Sequence, residues 1–390
     1  MRPDQTLPVG LINLIQAREL LVTVSGREPV RALPPSILPP RIDPVETNAM
    51  SNDQPSRREF LQAGAAGVAA ATLASTSEGQ TNQDASGVPL RALGKTGVKV
   101  SLLCLGGHGS TNPKKLSEKE SLRLIQRAVD EGITFMDNCW DYHNGLAEER
   151  MGKALAEGGR RDKVFLMTKV CGRTAKEAES NLHDSLSRLQ TDHIDLWQFH
   201  EMVYDNDPDW VFAADGAIHA GLKALKDGKV RFLGFTGHKD PLIHMKMLEK
   251  PFEWASVQMP LNVMDVHYRS FQRNVLPILL QRNIGVLAMK SLGGSGNIVS
   301  KAGVPVEDAL RYVLSLPIST LVSGIDSEKV LDQNLKIVRE FKPLTAEEKT
   351  RIEQSTVKVA GDGRFELFKS SKMFDGPVHR KQHGFDADTA

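Results

Sequence analysis

The stretch KVFLMTKVCGRTAKEAESNLHDSLSRLQTDHIDLWQFH, residues 163–200, decides the fold. It opens and closes with a short apolar run, and the segment between them repeats its apolar residues at intervals of three and four, as an amphipathic helix does. Continuous apolar strands that alternate with helices are typical of a parallel sheet whose faces are covered by helices. The stretch therefore predicts one strand–helix–strand unit of an α/β protein.

The same alternation extends in both directions from this unit. Eight apolar runs follow one another between residues 100 and 325: VSLLCLGG, ITFMD, KVFLMTKV, HIDLWQFHE, VRFLGFTG, WASVQMPLN, IGVLAMKSL and STLVSGI. Eight such units over about 250 residues fit a closed (β/α)8 TIM barrel better than an open doubly wound sheet. The glycines of LGGHGS lack the G-x-G-x-x-G spacing of a dinucleotide-binding fold, which also favours the barrel. Ahead of the first run, VPLRALGKTGVKV predicts an N-terminal β-hairpin with its turn near residues 95–97.

The first 87 residues are not expected to belong to the barrel, which we assign to residues 88–358. Residues 1–49 have no sustained period and include the proline-rich ALPPSILPPRIDP, which suits neither a helix nor a central strand. We expect the protein to start at Met50, with residues 1–49 a disordered or untranslated upstream extension.

Residues 50–87 are interpreted as an export signal and a linker. SRREFL, residues 56–61, is followed by an alanine-rich apolar run and by small residues at 72–74, which is the order of a twin-arginine signal. The run is too short to span a bilayer stably. We therefore expect a periplasmic or otherwise exported protein. Its partner would be the twin-arginine machinery, which carries folded proteins with a cofactor already bound.

Composition and cysteine spacing argue against several kinds of partner. The formal net charge of the 390 residues is +1, so neither nucleic acid nor an anionic membrane is expected. No zinc-type spacing relates the three cysteines to one another or to histidines, and all three fall in or just after apolar runs: Cys104, Cys139 and Cys171. We interpret them as core residues and expect no metal site.

Ionisable side chains end three consecutive predicted strands. Asp137 ends the second run, and Tyr142 lies in the loop behind it, within FMDNCWDYHNG at residues 135–145. Lys169 lies at the end of the third run and His200 at the end of the fourth. Taken alone, each has an ordinary explanation as a helix cap, a snorkelling lysine or a structural histidine. Because barrel enzymes place their chemistry where the carboxyl ends of the strands meet, we expect the four to form one site.

These four side chains suit the protonation of a carbonyl oxygen. A free phenol titrates at about pH 10, too high for efficient proton transfer near neutrality, and an adjacent ammonium lowers that pKa. Lys169 can supply the ammonium, and Asp137 can hold it in place. His200 can donate a hydrogen bond that orients the carbonyl. Such a site protonates an oxygen while its carbon receives a nucleophile, without a metal.

The set resembles the catalytic tetrad of the aldo-keto reductases. The resemblance covers roughly residues 88–345 and includes the hairpin, HIDLWQFH, VQMPLN and VLDQNL. It implies NAD(P)H-dependent reduction of an aldehyde or ketone to an alcohol, with a small-molecule carbonyl as the substrate. In this interpretation Tyr142 is the general acid, Lys169 and Asp137 tune it, and His200 orients the carbonyl.

The resemblance also implies where the nicotinamide and the pyrophosphate bind. Thr236 takes the place of the first residue of a Ser–Asn pair that holds the carboxamide, and Gln258 matches a glutamine that bonds the same group. Met289 replaces the usual aromatic residue that stacks on the ring. In MKSLGGSG, residues 289–296, Lys290 and Leu292 match the pyrophosphate loop.

SGIDSEKVLDQNL, residues 323–335, is matched to the adenosine end of the cofactor through Gly324, Asp326, Gln333 and Asn334. The last two correspond to a pair that binds adenine. A basic residue usually meets the 2′-phosphate of NADP, whereas a carboxylate such as Asp326 repels a phosphate and accepts from a ribose hydroxyl. The family resemblance thus implies NADP, and Asp326 leaves NAD as the alternative.

Two other functions fit part of the pattern. One is a non-catalytic nicotinamide-binding barrel that acts as a sensor or regulatory subunit, although the intact tetrad argues against it. The other is a barrel hydrolase or isomerase with paired carboxylates, for which only Glu201 and Asp141 lie near Asp137.

The tail, residues 359–390, either docks over the barrel rim or remains loose. His379 and His383 are four residues apart, but Pro377 and Gly384 argue against a helix there. We therefore place both histidines on the surface.

Overall fold

A small antiparallel sheet precedes the barrel in the computed structural model, which describes residues 82–83 and 86–386. Its strands are β1 (Asn82–Gln83), β2 (Pro89–Ala92) and β3 (Lys99–Ser101), in that order across the sheet. β2 and β3 are the predicted hairpin. Its turn ends at Gly97, whose φ of 76° lies in the left-handed region that favours glycine. β1 was not predicted.

Eight parallel strands then close into a barrel, one from each of the eight apolar runs. In chain order they are β4 (Leu103–Gly106), β5 (Phe135–Asp137), β6 (Phe165–Val170), β7 (Ile194–Phe199), β8 (Val230–Thr236), β9 (Ser256–Pro260), β10 (Gly285–Met289) and β11 (Thr320–Ser323). Each strand pairs with its neighbours in the chain, and β11 pairs with β4 to complete the circle. The predicted (β/α)8 barrel is confirmed.

The helices of the described residues lie between and after the strands. They are α1 (Gly107–Ser110), α2 (Glu118–Asp130), α3 (Leu146–Ala156), α4 (Ala175–Arg188), α5 (Asp207–Val211), α6 (Ile218–Lys226), α7 (Pro241–Glu249), α8 (Phe271–Asn274), α9 (Leu276–Gln281), α10 (Asn297–Ser300), α11 (Val306–Leu314), α12 (Glu328–Arg339), α13 (Ala346–Ala360), α14 (Leu367–Ser370) and α15 (Pro377–Gln382). Local signals start the longer ones: Ser117 and Thr174 open α2 and α4 with capping boxes. These crossovers make successive strands parallel, so that their carboxyl ends meet at one rim.

The hairpin closes the opposite, amino-terminal end of the barrel. The amide of Lys95 donates to the carbonyl of Asn283, just before β10, at 2.9 Å. Leu93 and Val100 are fully buried in one cluster with side chains of the barrel interior such as Phe135. Apolar side chains of the hairpin therefore pack into this end of the barrel.

The segment after α13 packs over that rim. The amide of Gly376 donates to Oε2 of Glu201 at 2.8 Å, and the hydroxyl of Tyr204 donates to Oδ2 of Asp375 at 2.9 Å. Of the two alternatives for the tail, the structure therefore has the docked one. The helix before the tail, α13, ends at Ala360.

The surface positions expected for His379 and His383 are wrong. Their side chains are 3% and 6% exposed. Pro377 does not prevent a helix there but begins α15, because proline suits the first position of a helix.

The predicted extension and signal lie outside the described residues, apart from 82–83 and 86–87. None of the helices in the described part of the chain is both long enough and apolar enough to cross a membrane.

Candidate active site

The strand ends bring the four predicted catalytic residues to one rim. Asp137 is the last residue of β5, Lys169 is next to last in β6, and His200 directly follows β7. Tyr142 begins a 3₁₀ turn, Tyr142–Gly145, in the loop after β5. The chain thus folds so that these residues, up to 63 positions apart, face one another.

Lys169 is the centre of this group. Its ammonium donates to Oδ1 of Asp137 at 2.5 Å, to the carbonyl of Asn138 at 2.7 Å and to the hydroxyl of Tyr142 at 3.2 Å. The lysine is only 1% exposed. Burial by itself would lower the pKa of Lys169, but Asp137 and Tyr142 raise it well above its usual value. The lysine is therefore a buried, permanent cation.

The loop after β5 positions Tyr142 through a tight turn. His143, Asn144 and Gly145 have φ angles of 54°, 57° and 91°, in the left-handed region that asparagine and glycine adopt most readily. The amide of Tyr142 donates to the carbonyl of Cys139 at 3.2 Å. The Asn-Gly turn predicted from the sequence therefore lies shortly after Tyr142 and leads the chain into α3.

Lys169 lowers the Tyr142 pKa as expected, but burial outweighs this effect. Burial raises the pKa of the phenol well above its usual value, and the Lys169 ammonium opposes that rise only in part. Tyr142 therefore stays protonated near neutral pH. It can donate a proton, and it then leaves a phenolate beside a cation.

His200 lies between the phenol and two cysteines. Its ring is 5.9 Å from that of Tyr142, centroid to centroid, and the planes are nearly perpendicular. Nδ1 is 3.2 Å from Sγ of Cys139 and 3.5 Å from Sγ of Cys171. Burial, followed by the charge of Lys169, lowers the pKa of His200 well below its usual value. The imidazole is therefore neutral and carries one N–H.

Two further carboxyl groups, Asp141 and Glu201, line the same region. A methyl group in place of the Gly376 hydrogen would lie 2.9 Å from Oδ2 of Asp141 and 3.0 Å from Oε2 of Glu201, so the tail approaches both. Burial, and then the charge of Asp141, raise the pKa of Glu201 to about 8. The sequence analysis considered these two carboxylates only as candidates for a barrel hydrolase or isomerase with paired carboxylates.

The residues predicted to hold the nicotinamide lie on adjacent strands at the same rim. Thr236 ends β8 and is paired in register with Gln258 of β9, and both are 2% exposed. Met289 ends β10. The Oε1 atom of Gln258 is buried without a hydrogen-bond partner, so it is an acceptor that a carboxamide N–H would satisfy.

The predicted pyrophosphate loop lies against the tail. The Lys290 ammonium is 5.5 Å and 5.3 Å from the ring centroids of Phe368 and Phe374. Burial lowers the pKa of Lys290 to about 8, while Glu201 acts in the opposite direction. Next to it, Leu292 packs against the main hydrophobic core. The phosphate contacts of this loop stay a prediction.

At the predicted adenosine end, Asp326 is paired with a residue that the sequence reasoning missed, Lys115. Lys115 lies in the loop between α1 and α2, and nothing in the local pattern distinguishes it from any surface lysine. Asn334 is 3% exposed and donates to Oγ of Ser323 at 2.7 Å, whereas Gln333 is exposed. These residues adjoin Gly324, at which an added methyl group would meet nothing within 4 Å.

Comparison with known families agrees with this arrangement. The model of the Aldo/keto reductase family matches residues 102–303, about half of the chain. The chain belongs to the aldo/keto reductase family. The matched range runs from the start of the barrel to just before α11, so it contains the four proposed catalytic residues of this aldo/keto reductase.

Individual similar proteins show how far the likeness extends along the chain. Uncharacterized oxidoreductase YrpG of Bacillus subtilis (strain 168) is 31% identical over 224 residues, which are 52% of this chain and 66% of that protein. A probable voltage-gated potassium channel subunit beta of Oryza sativa subsp. japonica is 26% identical over 286 residues, 65% of this chain and 78% of that one. The holo form of aldo-keto reductase AKR11C1 from Bacillus halodurans superposes with a TM-score of 0.58 at 24% identity, covering 69% of this chain and 96% of that chain. The structural likeness supports the barrel fold.

The amino-terminal segment matches a second model, that of the TAT (twin-arginine translocation) pathway signal sequence, over residues 54–74. The predicted twin-arginine signal is therefore confirmed. This aldo/keto reductase carries the signal for export in the folded state, and its destination follows as the periplasm or beyond.

Proposed function

We propose that the protein reduces an aldehyde or ketone to an alcohol with a nicotinamide cofactor. The observation that carries the proposal is the position of the Lys169 ammonium, 2.5 Å from Oδ1 of Asp137 and 3.2 Å from the hydroxyl of Tyr142. When bound, the nicotinamide cofactor would supply a hydride to the carbonyl carbon. The residues of this chain then have to bind the carbonyl, orient it and deliver a proton to its oxygen.

Tyr142 delivers that proton. The phenol is protonated near neutral pH and acts as the general acid when negative charge develops on the carbonyl oxygen, and the Lys169 ammonium favours the transfer because it lowers the Tyr142 pKa against the effect of burial. The phenolate that remains lies next to the Lys169 ammonium, which Asp137 holds in place, and this preorganised cation stabilises it. His200 has one N–H as a neutral ring and donates it to the same oxygen.

The nicotinamide end of the cofactor fits the residues at the centre of the rim. Gln258 would hold the carboxamide, since its buried oxygen has no partner within the chain. Thr236, in register with it, would supply a hydroxyl to the same group. Met289 would lie against the ring with a polarizable thioether in place of an aromatic face.

We propose NADP as the cofactor, with NAD as the rival. Asp326 by itself favours a ribose hydroxyl over a phosphate, but Lys115 neutralises it. A lysine at this position can also meet a 2′-phosphate. Parallel titrations with NADPH and NADH, followed by quenching of tryptophan fluorescence, would distinguish the two.

Replacement of the phenol tests the proposed acid. In Tyr142→Phe we expect the rate of reduction of a generic aldehyde to fall by about 10²–10⁴-fold, while cofactor binding is retained. Tyr312→Phe is the matched control, because that hydroxyl bonds Glu353 at 2.6 Å outside the barrel mouth. Unchanged turnover in Tyr142→Phe would show that this residue is not the acid.

The similarity to a protein named as a potassium channel subunit supports a second candidate, a nicotinamide-binding regulatory barrel. In that case the wild-type protein would bind NADPH or NADH but consume neither with any member of a broad aldehyde and ketone panel. Turnover that depends on Tyr142 would exclude this candidate.

A further inference from the structure

Four potential metal ligands converge behind the imidazole of His200: Cys139, Asp141, Cys171 and His200. Their ligand atoms all lie within 4.8 Å of one another. The two sulfurs are 4.0 Å apart, and Nδ1 of His200 is 3.2 Å and 3.5 Å from them. Oδ1 of Asp141 is 3.8 Å from the same nitrogen. The set contains two thiols, one imidazole and one carboxylate.

The sulfur–sulfur, sulfur–nitrogen and nitrogen–oxygen separations fit a tetrahedral site, and the two sulfur–oxygen separations lie within 4.8 Å. With metal–sulfur bonds of about 2.3 Å and metal–nitrogen or metal–oxygen bonds of about 2.1 Å, tetrahedral angles place two sulfurs ~3.8 Å apart, sulfur and nitrogen ~3.6 Å apart, and nitrogen and oxygen ~3.4 Å apart. The distances of 4.0, 3.2, 3.5 and 3.8 Å differ from these values by no more than about 0.4 Å.

A second, independent observation points the same way. Oδ1 of Asp141 is buried with no hydrogen-bond partner other than the thiols of Cys139 and Cys171, and the Asp141 side chain is only 10% exposed. A buried carboxylate oxygen is costly unless it is paired or bound to a cation. This oxygen is directed toward the cysteine–histidine group, so a cation bound there would satisfy it.

The surrounding charges suit a bound divalent cation. Two thiolates and one carboxylate with a divalent ion leave a net charge of −1. The guanidinium of Arg173 donates to the backbone carbonyls of Cys171 at 3.2 Å and His200 at 2.8 Å. The Lys169 ammonium likewise donates to the carbonyl of Asn138, next to Cys139. These two cations lie beside the ligand loops and offset the negative charge.

We propose that Cys139, Asp141, Cys171 and His200 bind one zinc-like divalent cation. Coordination through Nδ1 fixes the remaining ring proton of His200 on Nε2. The ion therefore holds the loops after β5, β6 and β7 together and sets the tautomer of the imidazole. The proposal depends on the donor set and its geometry, and it stands whether or not the protein reduces carbonyls.

A second histidine–carboxylate group does not carry the same inference. His379 and His383 meet Asp207 at 3.2 Å and 2.8 Å. However, Arg173 already donates to Oδ1 of Asp207 at 3.1 Å and to Nδ1 of His379 at 2.8 Å. The guanidinium takes the place that a metal ion would need, so this group is satisfied as an ion-pair network.

The test is metal content and cobalt spectroscopy of the full chain, exported and purified without chelators. We expect about one zinc per chain, and exchange for Co²⁺ should give thiolate-to-metal charge-transfer bands together with the intense visible bands of a tetrahedral ion. Cys139→Ser and Cys171→Ser should each weaken metal binding by more than about 100-fold, since even outer-shell changes cost about 10–100-fold. Cys104→Ser is the matched control, because Cys104 is equally buried but lies outside the group.

Two results would overturn the proposal. One is wild-type protein with fully reduced thiols that gives no cobalt–thiolate bands. The other is exported protein whose Cys139 and Cys171 are joined in a disulfide, as shown by an intact mass lower by two hydrogens and by protection from alkylation after unfolding. Circular dichroism of each variant confirms folding before metal is measured, and the wild-type cobalt spectrum tests the site even if a serine variant fails to fold.

Discussion

Replacement of Lys369 by methionine should release the tail from the barrel. The Lys369 side chain is 0% exposed, and its ammonium donates to Oδ1 of Asp265 at 2.7 Å, to Oε1 of Glu366 at 2.9 Å and to the carbonyl of Tyr268 at 2.8 Å. It therefore joins the start of the tail to the loop after β9. Methionine preserves most of the length of the side chain but removes the charge and all three hydrogen bonds.

The expected loss of stability follows from the two carboxylates that remain. Removing one partner of a buried ion pair costs about 3–5 kcal/mol, because the other charge is left without compensation. Glu366 can reduce this cost by taking up a proton, since burial already raises its pKa to about 7. We therefore expect the lower end of the range, about 3 kcal/mol in the free energy of unfolding.

Urea unfolding followed by tryptophan fluorescence measures this difference, and limited trypsin digestion reports on the tail itself. In Lys369→Met, cleavage within residues 361–386 should become faster at denaturant concentrations where the barrel is still folded. Lys381→Met is the control, because Lys381 is exposed on α15 and a surface change usually stays within about 0.5 kcal/mol. A loss below about 1 kcal/mol in Lys369→Met, with the tail still protected, would refute the role assigned to this lysine.

Three other changes have defined outcomes. Glu366→Gln should remove a pH dependence of stability. The pKa of Glu366 in the folded protein, about 7, lies above its ordinary value of 4.5, so the free energy of unfolding of the wild type falls by about 3 kcal/mol at most as the pH rises through that window. Stability that changes with pH in parallel for wild type and variant from pH 5 to 8 would contradict this. Gly237→Ala places a methyl group 2.2 Å from the carbonyl oxygen of Met202, so we expect a loss of about 1–3 kcal/mol or more in thermal unfolding, whereas Gly361→Ala, with nothing within 4 Å, should be nearly neutral. Lys115→Met should lower the NADPH-to-NADH ratio of kcat/KM by up to about fivefold, as expected for an exposed charge, and an unchanged ratio would remove this lysine from the cofactor site.

The barrel could be predicted because each strand carries its own signal. All positions of β6 and β7 are buried, since one face meets the barrel interior and the other meets the helices. A continuous apolar run is the direct consequence, and a helix period between two such runs completes the unit. None of this requires knowledge of distant contacts.

The docking of the tail could not be predicted in the same way. The charged residues of the tail suggest a solvent-exposed segment. In the structure, however, Asp375 pairs with Lys239 at 2.8 Å, and Lys369 pairs with Asp265 at 2.7 Å. Both partners lie more than 100 positions away in the chain. A buried ion pair leaves no periodic trace in the sequence. The same reasoning explains the misplaced His379, which is buried because Arg173 and Asp207 surround it.

The proximity of the Lys169 ammonium to the Tyr142 phenol could be predicted, whereas the net direction of the Tyr142 pKa could not. The order of Asp137, Tyr142 and Lys169 along successive strands places an ammonium beside a phenol, because strand ends of a barrel share a rim. How deeply the phenol is buried depends on contacts that the strand pattern does not encode, and burial determines the direction of its pKa. In the proposed reaction, Tyr142 therefore starts as a protonated phenol and becomes a phenolate only after it has given its proton to the carbonyl oxygen.

The proposed metal site follows from the same geometry of adjacent loops. Rules for zinc ligands in a sequence rely on pairs a few residues apart, whereas Cys139, Cys171 and His200 are separated by 32 and 29 residues. Each lies just beyond the carboxyl end of one of three neighbouring strands, so the side-by-side arrangement of these strands replaces the short loop of a zinc finger. Because the same barrel edge also presents the Tyr142 phenol and the Lys169 ammonium, His200 faces both groups. A metal on its Nδ1 would leave Nε2 as the nitrogen available to a carbonyl, and this couples a structural ion to the orientation of a substrate.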